Sequence, residues 1–198
     1  MKKLKQSFAL VLALVLALSC LSVSTFAAET NSGKWEGWTP ISNATELRKI
    51  ENDMNGKYYL TNDITLSGSW TPIGGVGDNG ANFEGTFDGN GHVISGLNYS
   101  NTSATAQYIG LFGTNYGTIQ NVKVIVDYLR GYKYVGAVVG VNRGTIANIT
   151  VEQVKSTTTS SGETASIIGV CNPNTFVGGI AGANYVPLVR RFLCVPTT

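Results

Sequence analysis

The sequence predicts an all-β fold: a short parallel β-helix closed at its N-terminal end by one helix. Three observations predict it. The 198 residues include 24 glycines, all lying between Gly33 and Gly182. Charged residues make up 13% of the chain, about half the ~25% of an ordinary soluble domain. Finally, a unit recurs. Gly113, Asn115, Gly117, Ile119, Asn121 and Val122 return 27 residues later as Gly140, Asn142, Gly144, Ile146, Asn148 and Ile149. A period of this length is the mark of a stacked repeat fold. The same composition excludes collagen and charged disordered chains. One histidine and three cysteines exclude a zinc finger or a disulfide-stapled miniprotein.

The elements follow in chain order. Lys2, Lys3 and Lys5 precede an unbroken apolar run from Phe8 to Leu18, too short for a bilayer. Thr25 and Ala27 are small residues suited to signal peptidase. Residues 1–27 therefore read as a signal peptide cleaved after Ala27. Cys20 raises a lipoprotein alternative, which Ala17, Leu18 and Ser19 disfavour as a poor lipobox. Cleavage removes three bases and no acid, leaving 11 against 12. The basic balance of the full chain is then lost, and with it any case for nucleic-acid binding. Of the two remaining cysteines, Cys171 and Cys194, no disulfide is expected, because Cys194 lies in an anomalous tail.

Residues 28–42 form a lead-in, and 43–56 read as the one helix. Asn43 can cap it, Glu46 can complete a capping box and Gly56 follows the last turn. Ala44, Leu47, Ile50 and Met54 share a face that must lie on the end of a sheet stack. The repeats span 43–185 with this helix included. They are interrupted at 155–166 by a Ser/Thr-rich loop. A coil of 25–27 residues cannot bury its apolar side chains alone and needs neighbours above and below. About four to five coils at ~4.8 Å each are expected. Ile94, Ile119 and Ile146 should stack in one interior column, and Leu97, Val122 and Ile149 in another. Asn121 and Asn148 should form an asparagine ladder. The structural repeat set is Gly110, Gly113, Asn115, Gly117, Asn121, Gly136, Gly140, Asn142, Gly144, Asn148, Gly178 and Gly182. Its glycines are expected to supply positive φ at corners.

Residues 186–198 carry two prolines and neither glycine nor acid. They read as an atypical tail foreign to the repeat, and the expectation is an N-terminal fragment of a longer surface protein.

The repeat unit resembles the GLUG-motif repeat family of bacterial secreted and cell-surface proteins, through the core Gly110-Leu111-Phe112-Gly113. The blocks Tyr58-Tyr59-Leu60-Thr61-Asn62-Asp63-Ile64, Trp70-Thr71-Pro72-Ile73-Gly74 and Phe83 to Ile94 look like that family's usual lead-in. The resemblance covers about residues 38–185. It implies a right-handed β-helix in large surface proteins, some attached to a peptidase or an adhesin, with no catalytic residues in the repeats.

Chemistry-bearing clusters are few. Asp88-Gly89-Asn90-Gly91-His92 alternates oxygen ligands but lacks the further carboxylates of a calcium loop, so it reads as a glycine corner with self-bonded Asp88 and Asn90. Gly74-Gly75-Val76-Gly77-Asp78 occurs once and reads as a loop. His92 is the sole histidine, and no Ser-His-Asp arrangement can be built. No metal, cofactor or catalytic residue is assigned. Trp70, Tyr108, Tyr116 and Tyr134 are candidate ligand-stacking aromatics in a set that also includes Trp35, Trp38, Tyr132 and Tyr185. The functional expectation is a non-catalytic secreted or cell-surface module for adhesion, glycan or protein binding, or spacing. It is not inserted in the membrane after signal cleavage. The alternatives are a carbohydrate-active enzyme using Asp63, Asp88 or Asp127, and an accessory domain of a surface peptidase.

Overall fold

A computed structural model describes residues 33–77, 80–154, 167–169 and 176–185. The signal peptide, Cys20, the Ser/Thr loop, Asp78, Cys171, Cys194 and the tail lie outside them. The chain divides after Glu36. In the leading unit Lys34 Nζ lies 4.3 Å from the centroid of the Trp35 ring. The body begins at Gly37.

The helix starts where its capping residues place it and ends early. α1 (Ala44–Arg48) is capped by Asn43, whose Oδ1 accepts the Glu46 N–H at 2.9 Å. Glu46 Oε2 reaches back to the Ser42 N–H and hydroxyl, both at 2.8 Å, so the reciprocal bond of the capping box falls one residue earlier than expected. The backbone then tightens into a 3-10 segment, Lys49–Asn52, and is extended at Asp53. The expected run to Gly56 fails where the Asp53 side chain makes a local bond in place of continuing helix. Asp53 Oδ1 takes the Asn55 N–H at 3.1 Å. The predicted apolar face is used in full. Leu47 and Ile50 are completely buried, and Ala44 and Met54 pack partly buried against the core.

Short Val/Ile/Thr-rich segments broken by Gly and Asn cannot make long strands, so the chain winds, and every strand pairs parallel with the one a turn away. The first wall stacks β1 (Thr39–Ile41), β2 (Lys57–Leu60), β5 (Thr86–Asp88) and the starts of β8 (Thr118–Gly131) and β11 (Thr145–Gln153). The second stacks β3 (Ile64–Thr65), β6 (Val93–Ser100), the remainder of β8 and β11, and β12 (Ile167–Gly169). The third stacks β4 (Asn82–Phe83), β7 (Phe112–Asn115), β10 (Val139–Asn142) and β14 (Ala181–Asn184). Beside it β9 (Val135–Gly136) pairs with β13 (Val177–Gly178). Register partners Tyr58, Phe87, Ile119 and Ile146 mark three closed turns of a parallel β-solenoid. Part-rungs lie at either end, and only when these are counted does the stack reach the expected four to five levels.

Ile119 and Ile146 stack as predicted, and so do Val122 and Ile149. Ile94 and Leu97 do not join them. Ile94 stacks between Ile64 and Val124, Leu97 lies beside Val126, and the lower neighbour of Ile119 is Phe87. The corner between Asp88 and Val93 holds four residues where its counterpart between Gln120 and Lys123 holds two. A 25-residue offset therefore compares residues at different places on the coil.

The role of the repeat glycines is also corrected. None of them has positive φ. At the corners that conformation belongs to Asn90 with Gly91, and to Asn121, Asn148, Tyr108 and Tyr134, and asparagine tolerates it well. Glycines outside the repeat set, Gly74, Gly75, Gly77 and Gly96 among them, do adopt it as expected. The repeat glycines are instead places where rungs touch. A Cβ on Gly117 would lie 2.0 Å from Gly85 O, one on Gly144 2.2 Å from Gly117 O, and one on Gly85 2.1 Å from Gly56 O.

Gly117→Ala is therefore expected to cost about 1–3 kcal/mol or more through overpacking. Gly91→Ala, left-handed (φ +83°) but with open space around it, should cost only the ~1–2 kcal/mol of its conformation. Urea unfolding midpoints of the two variants would check the ranking.

Candidate functional site

Among the described residues the third wall carries a concave face. On the third wall Thr114, Val141 and Ala183 are register partners on successive rungs. Thr114 and Val141 line a groove of about 160 Å³ together with Gly77, Gly80 and Asn82. Its rims are two columns of larger residues. Along one rim Tyr108 and Tyr134 stack with centroids 5.2 Å apart and planes within 4°, and Phe176 continues the stack 5.4 Å from Tyr134 at 9°. The left-handed backbone at Tyr108 and Tyr134 (φ 57° and 36°) repeats from one turn to the next, so the two rings are presented alike. The other rim is built from the residue after each ladder asparagine: Tyr116 after Asn115, Arg143 after Asn142, Tyr185 after Asn184. The Arg143 guanidinium lies 4.5 Å from the Tyr185 centroid and 5.8 Å from that of Tyr116.

The rim is held from inside by amides. Asn115 Nδ2 donates to Asn142 Oδ1 at 2.8 Å, and Asn142 Nδ2 donates to Asn184 Oδ1 at 2.9 Å. Asn115 and Asn142 are buried among apolar residues, where an unpaired amide would be costly. The expected ladder at the corner is present too, with Asn148 Nδ2 donating to Asn121 Oδ1 at 3.0 Å.

Of the four candidate aromatics, the groove brings together Tyr108, Tyr116 and Tyr134. Trp70 is corrected: it is buried, its Nε1–H donates to Leu111 O at 3.1 Å, and the Arg48 guanidinium lies 3.8 Å from its ring centroid. Its hydrophobic area serves the core beside α1, and nothing of it faces the groove. Arg143 was invisible to a search for aromatics. Its place in the column is legible only once Asn115, Asn142 and Asn184 are aligned and the following residue is read.

Among the described residues the groove lining carries Arg143 and no acid. Lys133 Nζ lies 4.7 Å from the Tyr134 ring centroid. Neither Arg143 nor Lys133 has a carboxylate within ion-pair distance among the described residues. The Tyr185 hydroxyl is held above the ordinary tyrosine value, first by its hydrogen bond with Tyr134 and then by the charge Tyr134 would carry. Arg143 and Lys133 pull it back down.

The carboxylates considered for catalysis are dispersed. Asp88 is buried and saturated. Its Oδ1 accepts the Asn90 N–H at 2.7 Å, as the glycine-corner reading expects for Asp88, and Asn121 Nδ2 at 3.1 Å. The Asn90 side chain is not self-bonded as expected but donates to Leu60 O at 3.2 Å, because the corner lies against the neighbouring rung. Asp88 Oδ2 accepts Gln120 Nε2 at 2.9 Å and Asn121 Nδ2 at 3.1 Å. Asp88 is thus the foot of the corner ladder. Its register partners are Tyr59 and Gln120, whereas exposed Asp63 meets the next segment, accepting the Val93 N–H at 2.9 Å and pairing with His92 Nδ1 at 3.1 Å. Asp127 is exposed on β8. Among the described residues no group of three His, Cys, Asp or Glu side chains lies close enough to hold a metal, and no helix is long and apolar enough to cross a membrane.

The chain is similar to halomucin of Haloquadratum walsbyi, at 31% identity over 75% of this chain and 2% of that protein. It is also similar to a protein named as a Gly-rich membrane protein in Evansella cellulosilytica, at 35% identity over 57% of this chain and 14% of that protein. The chain therefore spans a small fraction of the length of either relative. No protein-family profile matches it, and no solved structure does.

Asp88→Asn would turn an N–H₂ group toward amide donors and is expected to lower stability by about 1–3 kcal/mol, read as a shift in the urea midpoint. Asp63 responds to pH. The Val93 N–H, then His92, hold its carboxyl below the ordinary carboxylate range. Its stabilisation is complete above the unfolded value and is lost as pH falls through the folded one. The stability gap between the native chain and Asp63→Asn should accordingly close on acidification.

Proposed function

We propose that this chain is a non-catalytic repeat module of a secreted or cell-surface protein, and that it binds an extracellular saccharide along the tyrosine-rimmed groove. The observation that carries this reading is the groove itself: one column of stacked rings a rung apart, and a second in which Tyr116 and Tyr185 bracket Arg143, flanking a floor of small side chains. Rings with apolar faces and polar edges suit sugar rings, which are apolar on one face and ringed with hydroxyls. The contributions of the rings differ. Tyr134 stacks on both Tyr108 and Phe176, so it offers mainly its edge. Tyr116 and Tyr185, 47% and 55% exposed, offer area.

The location is supported by the basic start and short apolar run of the sequence, and by two relatives whose names are a halomucin and a membrane protein. A solenoid repeat embedded in far longer proteins fits a module that extends or presents a surface. Within this reading the chain is a GLUG-type repeat, supported by Gly110-Leu111-Phe112-Gly113 and its recurrence. An enzyme reading would need two cooperating carboxylates, and the register gives Asp63 and Asp88 separate neighbours.

Tyr185→Ala and Tyr116→Ala are each expected to weaken saccharide binding about tenfold, equivalent to ~1.4 kcal/mol, with an unchanged urea midpoint. A glycan array followed by calorimetry on the full chain would measure this. Binding equally strong in both variants would remove the groove from the proposal.

A further inference from the structure

The geometry points to a more specific ligand, and this inference rests on the saccharide-binding reading above: the groove recognises a saccharide bearing carboxylates, and Arg143 reads them. The rim column places a cation between two rings. A guanidinium is planar, with all its N–H donors in the plane. The Tyr185 and Tyr116 rings flank it at 4.5 and 5.8 Å, contacts that supply no oxygen acceptor for the N–H donors along its edge. No hydrogen bond from the Arg143 side chain to any described residue occupies that edge, and no described carboxylate approaches it. Arg143 is exposed, so a ligand can reach it without displacing protein.

The surroundings reinforce the sign. The described residues lining the groove include a cation and no acid. Lys133 approaches Tyr134 on the opposite rim, and both cations act on the Tyr185 hydroxyl between them. The nearest acid in the Arg143 column is Glu84, which follows Phe83, the register partner of Asn115. That places it two rungs from Arg143, roughly 10 Å at the usual strand spacing and about one Debye length at ordinary salt. The in-plane fork of arginine matches the two oxygens of a carboxylate, and the exposed ring of Tyr116 next to Arg143 can lie against the sugar beside it. The ligand class that uses all of these groups is a polymer of uronic acids.

The test uses the full chain with a matched pair of probes, an oligogalacturonate and its methyl ester, which keeps the sugar backbone and removes the charge. The acid is expected to bind at least tenfold tighter than the ester, and more weakly as salt is raised. Arg143→Gln should abolish that preference while leaving the urea midpoint in place. Arg143→Lys should recover part of it, because it restores charge without the planar fork. Equal binding of acid and ester to the native chain would overturn the inference while leaving the saccharide-binding reading intact. So would binding of neutral glycans alone that still depends on Tyr185. Failure of the chain to bind any saccharide, charged or neutral, would overturn both.

Discussion

Contact between the backbones of successive rungs, possible only where a Cβ is missing, is the constraint on which the rest of this structure depends. The column Gly56, Gly85, Gly117 and Gly144 marks it. The carbonyls that a methyl group would strike are the same ones that accept hydrogen bonds across the stack: Gly56 O from Thr86 N–H, Gly85 O from Thr118 N–H and Gly117 O from Thr145 N–H, at 3.0, 2.9 and 2.8 Å. A side chain there would open the gap that these bonds span. The walls would separate, and the ladders with them, since an amide reaches its neighbour only at the rung spacing. The rims of the groove inherit their spacing from the same contacts, because Tyr108 and Tyr134 lie against Gly140 and Gly182.

Much of this was legible wherever the spacing was regular. The turn from Gly113 to Gly140 repeats without insertion, so the pairs Ile119–Ile146, Val122–Ile149 and Asn121–Asn148 could be named from sequence and lie in register. The helix face was legible for the same reason, since Leu47 and Ile50 follow a helical period. Ile94 was misassigned because Asp88-Gly89-Asn90-Gly91-His92 makes a corner two residues longer than the one above it, and a fixed offset cannot see an insertion. The glycines were recognised as structural but for a different physical reason. Conformational freedom and absence of bulk both select glycine, and a sequence does not distinguish them.

The candidate site was legible in part. Tyr108, Tyr116 and Tyr134 emerged from a plain count of aromatics, and the fold gathers them. Trp70 belongs to the core because Arg48, 22 positions away in sequence, covers its ring and Leu111 takes its N–H, neither of which periodicity predicts. Arg143 was missed because it breaks the chemical type of its column. A charged residue between two tyrosines looks like variation in sequence and like a sandwich in space. Non-local contacts decide such cases.

The two amide ladders run in opposite senses. At the corner the donors point down the stack, from Asn148 to Asn121 to the carboxylate of Asp88, whereas within the third wall they point up it, from Asn115 through Asn142 to Asn184. Their dipoles oppose one another, so the stack gains axial hydrogen bonds without a large net polarisation. The upper surface of the described rungs is consequently coded. The corner ladder ends on the exposed Asn148 oxygen, which suits a donor, and the wall ladder on the exposed Asn184 amide, which suits an acceptor. A layer inverted or shifted by one position would present the wrong partner at one or both places. The alternation thus gives the solenoid a direction and a register of assembly written in hydrogen-bond polarity.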